Sequence, residues 1–151
     1  MRWARPDDLP RVHALIGELA AFERAALEFN VTLDELTEHA FGQKPIVEIR
    51  VANWKGSIVG AALVYEKYST WKGIGLHLKD LIVSEAYRGK GIGALLFEDV
   101  LRLCKERNYV RLEWQVLDWN EPAIAFYKKY GAAIMEEWLT CRLTTPDFKA
   151  Y

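Results

Sequence analysis

The chain has 151 residues, and we expect one domain with a substantial core over residues 1–151. Its composition, 51% hydrophobic and 27% charged, excludes a disordered chain, and a net charge of −1 gives no reason to expect a nucleic-acid partner. No apolar run reaches the roughly 18 residues of a membrane-spanning helix, so we expect no membrane partner.

The cysteine pattern and the N-terminus predict a cytoplasmic protein. Cys104 and Cys141 stand in no motif spacing, which indicates two reduced, buried thiols. The first residues lack the apolar segment of a secretory signal. We expect no metal site.

The first half of the chain predicts a strand, two helices and two strands. Apolar residues at helical spacing mark the helices, alternation marks one strand, and a nearly continuous apolar run marks a strand buried on both faces. In order, these are a strand over residues 2–5, a helix capped by Asp7 or Asp8 that runs to about Ala25, a helix capped by Thr32, and strands near residues 47–51 and 58–65.

The second half predicts strands and helices in alternation. Together the two halves give the order βααβββαβαβ, a mixed α/β or α+β sheet. The predicted segments are a strand over residues 76–83, a helix from about Ile92, a strand over 110–116, a helix that starts at residues 120–122 and stops at Gly131, and a strand over about 133–143.

Between the strand 76–83 and the following helix lies Arg88-Gly89-Lys90-Gly91-Ile92-Gly93. Backbone N–H groups without Cβ cover can converge on a phosphate at a helix N-terminus, and the two cations add charge where the helix dipole already favours an anion. A plain glycine-rich turn is the alternative. The position and the cations favour a pyrophosphate ligand.

The spacing of this loop separates it from two common phosphate motifs. No Gly-Lys is followed by Ser or Thr, which excludes a P-loop, and the dinucleotide motif needs Gly-x-Gly-x-x-Gly. The pattern Arg88-x-x-Gly91-x-Gly93 instead resembles the acetyl-CoA pyrophosphate loop of the GNAT N-acetyltransferases.

Further segments resemble the diamine branch of that superfamily, the spermidine/spermine and thialysine acetyltransferases. The resemblance covers essentially the whole chain and implies one GNAT domain: an α/β (α+β) fold with a central mixed, mostly antiparallel sheet flanked by helices on both faces. It also implies acetyl-CoA as co-substrate and a homodimer that shares its substrate pockets. The segments are residues 19–23, 41–42, 80–83, 87–93 and 119–132.

The same resemblance assigns the residues that contact acetyl-CoA. Backbone groups of one strand hold the thioester and pantetheine, the glycine loop holds the pyrophosphate, and a later helix flanks the cofactor. In this chain they are Leu81, Ile82 and Val83, then Arg88, Gly89, Lys90, Gly91, Ile92, Gly93 and Ala94, and finally Asn120 and Ala123, with helix capping as an alternative role for Asn120.

Tyr127 is the residue that the resemblance implies as the catalytic acid. It lies seven residues past Asn120, about two helical turns. A phenol with the ordinary pKa of ~10 stays protonated at pH 7 and can donate a proton to a departing thiolate. Core packing is the alternative role.

Glu23, Asp80 and Trp138 match positions that surround the amine in the diamine branch. Carboxylates can pair with an ammonium and take its proton through water, and an indole ring can contact a cation. The alternatives are a solvated charge for Glu23 and a core position for Trp138.

Lys79 departs from the polyamine enzymes, which place two acidic residues where this chain has Lys79-Asp80. A lysine there repels a long polycation and can pair with a carboxylate on the substrate, unless it points into solvent. His77 and His39 are candidate bases without a role in the family, and we expect them to be surface or structural residues.

These residues favour an enzyme that acetylates a primary amine of a small molecule by direct attack in a ternary complex. The acceptor is a diamine, a polyamine or a lysine-like amino acid. A protein or peptide N-acetyltransferase and a catalytically silent acyl-CoA-binding module remain the alternatives.

Overall fold

The computed structural model describes residues 1–148, which contain a five-stranded sheet in the order β1-β2-β3-β4-β5. Neighbouring strands are antiparallel from β1 to β4, and β5 runs parallel to β4. The prediction of a mixed, mostly antiparallel sheet is confirmed. The strands are β1 Arg2–Trp3, β2 Glu48–Trp54, β3 Ser57–Ser69, β4 Gly73–Val83 and β5 Leu112–Glu113; the helices are α1 Leu9–Phe22, α2 Leu33–Phe41, α3 Ile92–Glu106, α4 Glu121–Lys129 and α5 Thr145–Phe148.

The chain forms two compact units. The first, Met1–Gln115, contains the whole sheet with α1, α2 and α3. The second begins at Val116 and contains α4 and α5.

Helices of the first unit pack on opposite faces of the sheet. On one face, here the α1 face, Leu15 of α1 and Leu36 of α2 share an apolar cluster with Leu63 of β3. On the opposite face, here the α3 face, Arg50 of β2 forms an ion pair with the buried Asp99 of α3 at 2.5 Å between Nε and Oδ2. The prediction of helices on both faces is therefore confirmed.

The helix boundaries follow local capping. The side chain of Thr32 accepts a hydrogen bond from the backbone N–H of Glu35 at 3.2 Å, as the predicted cap requires. Helix α1 ends at Phe22, three residues before the predicted Ala25, because Arg24 adopts a positive φ of 59° that an α-helix does not tolerate. Asp8 precedes α1 without a side-chain capping bond and instead pairs with Arg2.

Two strand predictions need correction. The predicted strand over residues 133–143 is absent, because a turn at Glu136 and Glu137 interrupts the apolar segment and no described strand pairs with it. The strand predicted over 110–116 is regular only at Leu112–Glu113, since β4 pairs with it across two residues.

Cys104 is buried as expected, but Cys141 is exposed because it lies in the segment that forms no strand. Among the described residues, no helix has the length and apolar character needed to cross a membrane.

Candidate active site

The glycine loop lies at the start of α3, and the space around two of its glycines is open. Gly89 and Gly91 have φ of +72° and +76°, and a Cβ at either position would meet no atom within 4 Å. Glycine is therefore favoured there by backbone conformation and not by crowding. Because α3 begins at Ile92, the N–H groups of its first turn have no carbonyl partner within the helix. The loop thus presents free N–H donors at the positive end of a helix dipole.

Two cations are anchored at the rim of this loop. Arg88 donates from Nε to the carbonyl of Val83 at 3.1 Å, and its guanidinium lies 5.1 Å from the ring centroid of Phe22. Lys90 donates from Nζ to the carbonyl of Ala86 at 3.1 Å. The first turn of α3 contains no acidic residue, so the charges at the loop favour an anion such as a pyrophosphate.

Strand β4 has an open edge next to this loop. It pairs with β5 only at Leu76 and His77, and from there to Val83 that edge faces no other strand of the described chain. The N–H of Ser84 donates to Val59 of β3, so by alternation Leu81 and Val83 direct their backbone groups to the open edge. An extended amide-containing chain can pair with such an edge.

Of the three strand residues predicted to contact the cofactor, only Ile82 directs its backbone groups away from the open edge. Its backbone groups face β3, and its side chain belongs to the apolar cluster on the α1 face. Backbone donors and acceptors for a ligand at this edge therefore come from Leu81 and Val83.

A β-bulge at Lys79 sets the orientation of these residues. Leu63 of β3 lies opposite Asp80, whereas Val64 lies opposite Leu78, so Lys79 is the extra residue of β4. An extra residue reverses the alternation of a strand and redirects its side chains. Asp80 consequently shares the α1 face with Leu63, and Lys79 is exposed.

Glu23, Lys79 and Asp80 interact although Glu23 lies far from the others in sequence. Glu23 follows the last residue of α1, and its N–H donates to the carbonyl of Leu19. Partial desolvation raises the pKa of Glu23, the charge of Asp80 raises it further, and Lys79 opposes both effects. Burial also raises the pKa of the Asp80 carboxyl, against the charge of Lys79. The first unit thus assembles two carboxylates and an ammonium beside the open edge of β4.

The second unit carries the remaining predicted residues. Asn120 caps α4, and its Oδ1 accepts from the N–H of Ala123 at 3.3 Å. Tyr127 is only 8% exposed, and its ring meets that of Phe126 edge to face at 5.1 Å. Trp138 is 69% exposed, so the alternative of a core position for it is wrong.

One polar residue of the first unit has an environment that the sequence analysis missed. His77 is buried, with its ring 4.8 Å from that of Tyr65, and its Nδ1 has no hydrogen-bond partner among the described residues. Its position between two buried leucines in β4 was the available signal. His39 is exposed on α2, as expected. Within residues 1–148, no group of three His, Cys, Asp or Glu side chains is arranged to hold a metal ion.

Comparison with known proteins identifies relatives of similar length. The sequence profile of the acetyltransferase (GNAT) family matches residues 14–132. The thialysine N-epsilon-acetyltransferase of Mus musculus is 33% identical over 94% of this chain and 90% of its own length. An L-ornithine N5-acetyltransferase of Arabidopsis thaliana is 27% identical over 99% of this chain and 86% of its own length. Among solved structures, an integron cassette protein of V. cholerae has the same fold, with a TM-score of 0.80 and 22% identity over 99% of this chain and 94% of its own.

Proposed function

Because the chain belongs to the acetyltransferase (GNAT) family and is an acetyl-CoA-dependent N-acetyltransferase, we propose that its acceptor is a primary amine of a small molecule. The class comprises diamines, polyamines and lysine-like amino acids. The observation that carries this proposal is the pair of carboxylates, Glu23 and Asp80, with interacting charges beside the open edge of β4. The printed names of the mouse and Arabidopsis relatives, which specify thialysine and ornithine, support the same class.

We assign the binding of acetyl-CoA to the glycine loop and to the edge of β4. The N–H groups from Gly89 to Ala94, with Arg88 and Lys90, would hold the pyrophosphate. Leu81 and Val83 would pair with the amides of pantetheine, and an N–H at this edge would stabilise negative charge on the thioester oxygen. By the family resemblance of residues 119–132, Asn120 and Ala123 would flank the cofactor.

The reaction is a direct transfer in a ternary complex. The acceptor must reach the acetyl carbon as a neutral amine, so its ammonium first gives up a proton. A bond forms between the amine nitrogen and the acetyl carbon, and the nitrogen, positively charged after the attack, gives up a second proton to water. The carbon–sulfur bond breaks, and the sulfur leaves as a thiolate. Ionised Asp80 and Glu23 would pair with the ammonium on arrival and receive its proton through water.

Tyr127 would supply the proton that the leaving thiolate needs. This assignment rests on the family resemblance of residues 119–132 and on the chemistry of a phenol, which is protonated at pH 7. The fold of the second unit is compatible with the role, because α4 fixes Tyr127 in a buried position two turns after its cap.

An acceptor panel tests the proposal. The purified protein with acetyl-CoA should acetylate some of spermidine, putrescine, lysine, ornithine and thialysine, with product detected by mass spectrometry. A panel of peptides with free N-termini and lysines provides the comparison. Acetylation of peptides alone would favour a protein acceptor, and measurable CoA binding without any product would favour a silent acyl-CoA-binding module.

We also propose that the chain acts as one domain in a cytoplasmic homodimer. The family profile includes residues of both units, which supports a single domain. Exposed apolar side chains of the second unit, such as Met135 and Leu139, are surface that an interface would cover. Light scattering coupled to size-exclusion chromatography should give twice the 17.4 kDa chain mass, and a monomer mass would contradict the dimer.

A further inference from the structure

The imidazole of His77 is a buried polar group to which the acetyl transfer assigns no role. His77 is 8% exposed, and its Nδ1 is buried without a hydrogen-bond partner among residues 1–148. A buried polar atom in this state is costly unless a ligand or water completes its hydrogen bonding. The partner that suits this nitrogen can be identified from its neighbours.

His77 lies on the same face of the sheet as the acidic pair. Tyr65 lies opposite His77, and Leu63 lies opposite Asp80. Because Leu63 and Tyr65 are two residues apart in β3, their side chains share the α1 face, and so do those of His77 and Asp80. Three residues of β4, at ~3.3 Å each, separate the two positions by at most about 10 Å.

The charges next to His77 are mostly positive. Burial lowers the pKa of its ring most, the charges of Lys67 and Lys79 lower it further, and only the charge of Glu113 opposes these effects. Glu113 is itself paired with Lys67 at 3.2 Å and with Arg111 at 3.3 Å. Lys79 forms no ion pair with any residue of the described chain. The charges of Glu23 and Asp80 act on Lys79 without forming an ion pair with it, so a neutral imidazole and this ammonium are a donor set for an anion.

We propose that His77 and Lys79 form a carboxylate-binding subsite for an acceptor that is a diamino acid. Its side-chain amine would meet Asp80 and Glu23, while its carboxylate would accept hydrogen bonds from Nδ1–H of His77 and from Nζ of Lys79. This inference rests on the proposed small-amine function and names the substrate class within it.

The bulge is what makes this arrangement possible. It inserts Lys79 into β4 between His77 and Asp80, so that along the strand a positively charged residue lies between the neutral donor and the carboxylate. A diamine or polyamine would place a second ammonium against Lys79 and lose the contact with His77. A diamino acid would instead place its side-chain amine at Asp80 and Glu23 and its carboxylate at His77 and Lys79.

The wild-type protein provides the first test. With acetyl-CoA, kcat/KM for L-ornithine and L-lysine should exceed that for their decarboxylated counterparts, putrescine and cadaverine, by about tenfold or more, the scale of one hydrogen bond to a charged group. Equal or higher values for the decarboxylated amines would overturn the subsite while leaving the small-amine function intact. If neither these four compounds nor spermidine and thialysine are acetylated, the proposed function itself fails, and the subsite with it.

Variants then assign the effect to these two side chains. His77→Phe keeps a ring against Tyr65, and Lys79→Met keeps the length of the side chain. Each should raise KM for the diamino acid about tenfold with kcat retained, and leave the values for the decarboxylated amine unchanged or improved. His77→Asn and Lys79→Arg, which keep a donor, should restore part of the affinity.

Lys72→Met is the matched control, because it removes an exposed lysine from the turn between β3 and β4. It should leave both substrates unaffected. An equal loss on the diamino acid and the decarboxylated amine in His77→Phe and Lys79→Met would indicate a structural role and overturn the subsite. The wild-type comparison remains decisive if either variant fails to fold.

Discussion

At the scale of single residues, the departure of the thiolate depends in this account on Tyr127. Tyr127→Phe removes the phenolic proton and keeps the ring, so the edge-to-face contact with Phe126 can persist. We predict a fall in kcat of about 100-fold, the usual contribution of a positioned acid, with little change in KM for acetyl-CoA. Initial rates with the preferred acceptor provide the measurement.

Tyr130→Phe is the control at this scale. Tyr130 lies three residues after Tyr127, directly after the end of α4, and its ring also lies against that of Phe126, at 5.3 Å between ring centroids. The Tyr130→Phe variant should retain the wild-type rate of acetylation. A Tyr127→Phe variant as active as the Tyr130→Phe variant would remove Tyr127 from the mechanism.

Individual residues also show where sequence reasoning succeeds. The capping role of Asn120 and the pairing of Glu23 with a second acidic residue, Asp80, were predictable, because residue type and the resemblance to a family both indicated them. The burial of His77 was not, since it depends on Tyr65 across the sheet and on a register that no local pattern reveals. The exposure of Trp138 likewise depends on a turn at Glu136 and Glu137 that the apolar pattern masked.

At the scale of elements, the glycine loop permits a direct test of its role. Gly91→Ala places a Cβ in the left-handed region, which costs about 1–2 kcal/mol, although the space around it is open. The strain falls on the loop that we assign to the pyrophosphate. We therefore predict a lower free energy of unfolding and a raised KM for acetyl-CoA.

Gly56→Ala separates these two effects. Gly56 has φ of +90° in the turn between β2 and β3, and a Cβ there also meets nothing within 4 Å. Gly56→Ala should lower the free energy of unfolding, measured by urea titration, by a similar amount without changing KM for acetyl-CoA. An unchanged KM in Gly91→Ala would contradict the assignment of the loop.

The order of elements was largely predictable, because helical spacing, capping residues and apolar runs are local signals. The long strand β3 and the capped helix α2 were found in this way. The short ladder of β5 and the missing strand over residues 133–143 were not, because pairing depends on which edge of a neighbour is free. The bulge at Lys79 is invisible for the same reason: it exists only in the register between two strands.

At the scale of the whole molecule, β4 links the features of the first unit. Its open edge carries the backbone groups of Leu81 and Val83, the glycine loop follows its end, and its α1 face carries His77 and Asp80. Composition and charge identified only a globular protein, whereas the glycine loop and the segment 119–132 identified the family. We therefore expect the amine to be held at Asp80, beside the edge of β4.

The pH dependence of kcat/KM is the measurement that decides whether Asp80 holds the amine. Burial raises the pKa of Asp80, so its charge is present above that pKa and is lost as the pH falls through it. We predict that wild-type kcat/KM for the preferred amine falls on the acid side at a pH above the ordinary range of an aspartate. In Asp80→Asn, kcat/KM should be lower and this limb should move to lower pH, because Glu23 is the remaining carboxylate and loses the charge of Asp80 that raises its pKa. The same acid limb in Asp80→Asn, or a wild-type kcat/KM in that variant, would contradict the account.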